Sequence, residues 1–434
     1  MGVGVVQLVA YGAQDIYLTG NPQISFYKIA YKRYTNFAVE SIKQSFVNLP
    51  DFGKKSTSII SKNGDLIQQM YLDITLPTGT SVGGNTYWTY GIGNALIDTV
   101  EIQIGGTTID TQYGQWLDIW CELTNKPGHR SNYDNMVGNF VGVDNNIGLP
   151  TSSTTGYKLY VPLKFWFNKC SGLALPIIAL ANQEVRLNIS IKPLADLYIG
   201  GTFTKSNTSD LIVDLYVDYV FLDTDERRKF AQGTHEYLIE QIQKTEDLTI
   251  TSDKTSILAP IKFYHPVKEL IWVIPKKSFN TSDTTNGNRW LDYSNNTDPT
   301  DPTSIIPQDT FDTASIEMNG SPRFYKRNAK YFRTVQNYQR HTNSPRVPNT
   351  SAFSGLINCN GDTYEMNKYI YTYSFALSPE EHQPTGTCNF SRLNSVNLAL
   401  NFSELDVDVL LKIFGVNYNI LRFANGQCGV AYSN

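Results

Sequence analysis

Cysteine is scarce in this chain. Its five cysteines, Cys121, Cys170, Cys359, Cys388 and Cys428, are odd in number, far apart and never paired as C-x-x-C. That excludes a disulfide framework and leaves no ligand spacing for structural zinc. Long apolar runs are missing as well: no segment reaches the roughly 18 residues of a membrane span. Met1 to Ala10 show no cationic region ahead of an apolar stretch, so no secretory leader is read and a soluble protein made in the cytosol is expected. Charge is sparse, at 18% with a net of −4, which argues against a protein held to nucleic acid by bulk charge.

Catalytic signatures are absent too. The histidines, His129, His235, His265, His341 and His382, are dispersed without an H-x-x-x-H pair, and Gly91-Ile92-Gly93 lacks the third glycine of a dinucleotide fingerprint. No G-x-S-x-G or phosphate-binding loop occurs. The acidic groups Asp223/Asp225/Glu226 and Asp298/Asp301 lack the glycine and terminal Glu of a helix-loop-helix calcium loop and read as solvated loop charge. No catalytic residue, cofactor or metal site is expected.

What the chain does contain is aromatic and strand-forming. Aromatics make up 12%, with 27 Tyr, a composition suited to pleated, half-buried surface. A length of 434 residues is enough for two large β domains. The stretch Leu211 to Gln243 divides them. Val213, Leu215, Val217, Tyr219 and Phe221 alternate as the apolar face of a strand, and then Asp223-Thr224-Asp225-Glu226 supplies capping oxygens ahead of a short helix that ends before Gly233. HEYLIEQIQ then resumes the β pattern.

Segments on either side of this divide recur in one order. TVEIQIGG, with Ile102, matches TASIEMNG, with Ile316; YKLYVPLKFWF is answered by KYIYTYSFAL. EVRLNISI, with Leu187, is answered by SVNLALNF, with Leu398, and IVDLYVDYVFL by DVLLKIFGVNYNIL. Four matches at nearly constant spacing indicate an internal duplication.

Along the first half the pattern predicts an arm, strands near 40–48, 56–61 and 66–76, and a helix over Tyr113 to Leu123 with Trp116, Leu117 and Trp120 on one side. PTGTSVGGNTYW, IGGTFTKSNTSD and the Asn-rich stretch 124–155 read as loops, and SGLALPIIALANQ as a buried turn. In the second half strands are expected at 237–250 and 261–274, with exposed polar loops at 275–309 and 339–367.

QLVAYGAQDIYLTGNPQISFYKIAYKRYTNFAVESI, NGDLI, VEIQIGGTTID, GLALPIIAL, DYVFLDTDERRKFAQ with HEYLIEQ, and QPTGTCNFSRLNSVNL together resemble the major capsid protein of large icosahedral double-stranded DNA viruses, nearest to those of algae. The resemblance spans nearly the whole chain. It implies an all-β double jelly roll, two eight-stranded antiparallel β-sandwiches in tandem: an arm at 1–26, a first roll at 27–222, a connector at 223–236 and a second roll at 237–434. It further implies a homotrimer forming a pseudo-hexagonal capsomer in a virion shell assembled in the host cytoplasm. The implied partners are other copies, minor capsid and penton proteins, inner membrane-associated proteins beneath the shell, and the host surface through outer loops. Sequence-specific nucleic acid is not among them. The alternative reading is a jelly-roll carbohydrate-binding or glycan-active protein.

Two groups of candidate site residues follow. RFYKRNAKYFR interleaves Arg323, Lys326, Arg327, Tyr331 and Arg333 with further aromatics, a pattern read as a subunit contact rather than a nucleic-acid track. N-x-S/T sequons begin at Asn188, Asn207, Asn280, Asn295, Asn349, Asn389 and Asn401. The resemblance implies glycans on outward loops, which selects Asn280 and Asn295.

Overall fold

The computed structural model describes residues 2–126, 128–139, 149–151, 156–206, 210–285, 287–294, 309–345, 368–403, 405 and 407–432, with backbone only at 83–85. Internal contacts divide the chain into Met1–Phe37 and Ala38–Asn434. In the first body short helices at Val3–Val9 and Ile16–Thr19 give way to extended chain, and none of its described residues is buried.

In the larger body, period-two alternation builds four principal sheets. Met70, Leu72 and Ile74 of the strand Leu66–Thr75 point into one core, as do Val213, Leu215, Val217 and Tyr219 of Ile212–Leu222, which pairs with it antiparallel. Their sheet runs Phe37–Gln44, Ile212–Leu222, Leu66–Thr75, Lys158–Pro162. The facing sheet runs Lys55–Ile60, Val185–Ile191, Ile97–Ile104, Thr107–Tyr113. The second half repeats both. One sheet runs His235–Lys244, Val409–Ala424, Pro266–Val273, Ile370–Ser374, and its partner Ser256–Pro260, Val396–Asn401, Thr313–Met318, Ser321–Pro322. Numbering the eight principal strands of each half in chain order, the first sheet reads first, eighth, third, sixth and its partner second, seventh, fourth, fifth. That is the jelly-roll order, and it occurs twice.

The duplication extends to register. Ile102 lies opposite Leu187 in the first half, and Ile316 opposite Leu398 in the second, the same four positions that correspond in the sequence. Both fourth-to-fifth strand hairpins close on two left-handed residues. Gly105 and Gly106 have φ of 58° and 85° between Ile104 and Thr107, while Asn319 and Gly320 have φ of 50° and 80° between Met318 and Ser321. Only such primed turns match the twist of the flanking strands, which explains glycine and asparagine there.

Several local expectations need correction. PTGTSVGGNTYW and IGGTFTKSNTSD do not form loops: Gly79–Trp88 and Tyr198–Lys205 pair as an antiparallel two-stranded sheet. Glycine and threonine hid the alternation, but Trp88 and Phe203 meet edge-on beneath the ribbon. The stretch 124–155 contains a helix, Arg130–Val137, whose Tyr133 and Val137 are buried. The polar stretch after Pro275 is not wholly exposed, since Phe279, Leu291 and Tyr293 are buried and Asn288 donates to the carbonyls of Ala195 and Tyr198. SGLALPIIALANQ is the buried turn expected, built as two short 3₁₀ turns with Leu173, Leu175, Ile177 and Leu180 buried. The connector helix, Thr224–Gln232, is capped by Asp223, whose carboxylate accepts from Thr224 N at 2.7 Å.

Candidate assembly surfaces

One helix packs between the two rolls. Gly114–Thr124 is buried on both sides: Leu117 and Cys121 enter the first roll's core, whereas Trp116, Ile119, Trp120 and Leu123 lie on the outer face of the second roll's sheet, against Ile271, Val273, Ile370, Phe414 and Val416. Leu117 therefore faces away from Trp116 and Trp120, contrary to the single stripe expected from the sequence. Trp116 stacks on Trp120 at 5.4 Å and tilts onto Phe414 at 5.6 Å.

Charges pinned inside this seam join the rolls as well. Lys368 Nζ donates to Asp118 Oδ2 at 2.6 Å, and Tyr293 OH to the same oxygen at 2.9 Å. Lys268 Nζ lies 2.7 Å from Glu240 Oε2, and Lys169 of the first roll contacts the same carboxylate. Burial opposes ionisation of Glu240, yet the two ammonium groups hold it down at about 2. Among the described residues Asp110 has no such cation in contact. Burial pushes it up to about 6, although its carboxylate accepts from Ile242 N across the seam at 3.0 Å. Lys412 Nζ reaches Gln115 Oε1 at 3.0 Å and Asn280 Oδ1 at 2.8 Å.

A further buried cluster braces the second roll. His341 Nδ1 is 3.1 Å from Glu380 Oε1, and its Nε2 lies 3.3 Å from Glu269 Oε2 without hydrogen-bond alignment. Burial alone would lower the imidazole pKa, but the two carboxylates override it and raise it to about 9. Nothing in the sequence revealed these clusters. Asp118 and Lys368 are 250 residues apart, and no local spacing marks such a pair.

The candidate contact residues fall on the surface that follows the second roll's fourth strand. Arg323, Lys326 and Arg327 are exposed: Arg323 Nε donates to Tyr373 OH at 2.9 Å, Lys326 reaches Asn401 at 3.3 Å, and Arg327 lies over Tyr331. Arg333 is engaged within the chain, through a two-pronged pair with Asp309 at 2.7 and 3.1 Å. Within the segment Arg327–Asn328 pairs as a short strand with Thr313 and Ala314. Tyr331–Val335 forms a π turn running into the helix Gln336–Arg340. Asn280 is a correction. Its Nδ2, the atom a glycan would use, is buried, and its Oδ1 is held by Gln115 and Lys412 in the seam. Asn295, Asp298 and Asp301 lie outside the described residues. An eighth sequon, Asn319-Gly320-Ser321, sits on the exposed hairpin tip. Among the described residues no cluster of His, Cys, Asp and Glu suits a metal ion, and no helix is long and apolar enough to cross a membrane.

Comparison with known proteins agrees with this architecture. The model "Major capsid protein N-terminus" matches residues 25–223, and "Large eukaryotic DNA virus major capsid protein" matches 226–360 and 365–429. The major capsid protein of Pyramimonas orientalis virus is 43% identical, and that of Phaeocystis pouchetii virus 36%, with all of each chain covered. A chain of the quasi-atomic model of the PBCV-1 virus capsid superposes with a TM-score of 0.75 at 31% identity, covering 94% of this chain and 100% of that one. The Faustovirus major capsid protein shares the fold, with a TM-score of 0.70 at 12% identity over 95% of this chain and 94% of that one. Twin rolls of equal strand order and register, joined by a buried seam and matched over almost their full length, show that the chain belongs to the major capsid protein family of large eukaryotic DNA viruses.

Proposed function

We propose that this chain is the shell-building subunit of such a virus and that three copies close into a pseudo-hexagonal capsomer. The observation that carries the reading is the repeated strand order, with Ile102 opposite Leu187 and Ile316 opposite Leu398. Two like wedges per chain, taken three times, fill six positions around an axis, and a six-sided tile covers a flat facet without gaps. The working division is an arm at 1–26, rolls at 27–222 and 237–434, and a connector at 223–236. Exposed Arg323, Lys326 and Arg327 serve contacts between copies or with the minor and penton proteins of the shell. Inner membrane-associated proteins beneath the shell and host surface molecules outside it are further partners in this reading. Synthesis and assembly are assigned to the host cytoplasm.

Light scattering on the purified full-length protein tests the core of this reading. A mass of three times the 48.8 kDa chain is expected, with ring-like hexagonal particles in electron micrographs. A single-chain mass at all concentrations, with binding to an oligosaccharide array, overturns it in favour of a carbohydrate-binding protein.

A further inference from the structure

The two rolls differ in what covers them. The outer face of the second roll's first sheet lies under the helix Gly114–Thr124, whereas among the described residues the corresponding face of the first roll carries no such helix. That uncovered face is polar and aromatic. Tyr71 and Tyr216 stack at 5.2 Å with their rings 4° from parallel, and Tyr160 leans on Tyr71 at 6.3 Å. Lys43 pairs with Asp214 at 2.7 Å, and Lys158 with Asp73 at 3.0 Å.

The helix has a counterpart. In each roll it follows the fifth strand, and in the second roll the corresponding segment is Tyr331–Arg340. Phe332 and Gln336 point inward there, as Leu117 and Cys121 do in the first roll. Counting from those pairs, Tyr331, Thr334, Val335 and Tyr338 take the places of Trp116, Ile119, Trp120 and Leu123. Yet the first-roll stripe is sealed against its neighbour, with Trp120 only 6% exposed, whereas Val335 is 40% and Tyr338 85% exposed. The chain thus holds one complete helix-on-sheet joint and both unmatched halves of a second.

We infer that the stripe Tyr331, Thr334, Val335 and Tyr338 of one copy docks on the Tyr71, Tyr160 and Tyr216 face of the next, remaking between molecules the joint that each chain makes internally. The inference rests on the three-copy reading and specifies its interface. Composition fits: a joint closed during folding never meets water and can be lined by Ile271, Val273, Phe414 and Val416, whereas a face exposed until assembly must stay wettable. Tyrosine serves both states, because its ring packs while its hydroxyl remains hydrated. Charge leans the same way: with Lys43 and Lys158 beside Asp73, Asp214 and Asp218 the face holds one carboxylate in excess, and the approaching segment is preceded by Arg327 and Lys330.

Sedimentation of full-length wild type, Val335→Asp and Tyr338→Asp is the test, combined with bismaleimide cross-linking of Val335→Cys with Tyr216→Cys in a Cys170→Ser background. The expected result is at least tenfold weaker association for the Asp variants at an unchanged thermal transition, and cross-links between chains that require both cysteines. Wild type and variants of equal three-chain mass, without cross-links, overturn this interface while leaving the three-copy reading intact. A wild type that stays single at all concentrations overturns both. If an Asp variant fails to fold, the cross-link pair decides alone: bridged chains support the interface and their absence refutes it.

Discussion

His341 is a residue whose protonation bears on the stability of the second roll. Its folded pKa is raised to about 9 against an ordinary 6.5, so the stabilisation it gives is fully present below pH 6.5 and is lost as pH rises through about 9. The shift corresponds to about 3 kcal/mol. Calorimetry from pH 6 to 10 should therefore show the advantage in unfolding temperature of wild type over His341→Gln shrinking as pH rises, on top of an opposite trend common to both from Lys192, Lys268 and Lys412, whose burial lowers them to between about 7 and 8. Asp118 is the comparable point in the seam. Its removal strands the fully buried Lys368 ammonium, so Asp118→Ala should cost about 3–5 kcal/mol in thermal or denaturant unfolding, whereas the joint replacement Asp118→Leu with Lys368→Met should cost much less. Neither residue announced itself in the sequence. A buried lysine reads like any surface lysine until the chain brings its carboxylate from the other half.

At the level of elements, the helix Gly114–Thr124 is the joint between rolls. Trp120→Ala empties a buried site on the second roll's sheet and should cost about 3–5 kcal/mol, read as a lower denaturant midpoint. The hairpin tips give a smaller effect: Gly320→Ala places a side chain at φ 80° and should cost about 1–2 kcal/mol in the same measurement. The elements that alternate cleanly, such as Leu66–Thr75 and Ile212–Leu222, were legible in the sequence. Those built from glycine and threonine, such as Gly79–Trp88, were not, because their pairing comes from a partner strand more than a hundred residues away rather than from local preference. The polar run after Pro275 misled for a similar reason: Phe279, Leu291 and Tyr293 are too widely spaced to show a period, yet each finds a pocket.

For the molecule as a whole, the double architecture was legible because duplication leaves its mark at two levels, recurring segments and their spacing. Assembly surfaces were less so. The basic-aromatic run includes Arg333, which is engaged internally by Asp309, and the exposed stripe beside it became visible only once helix faces were placed. The seam inside each chain also bears on how a closed ring forms. A six-sided ring built from single rolls must gather six separate molecules. In the proposed three-chain ring half of the joints are made when the polypeptide folds, so closure would depend on the third power of subunit concentration rather than the sixth. Fusing the rolls thus shifts the concentration threshold for ring formation downward, and it frees the two kinds of joint to diverge in wettability.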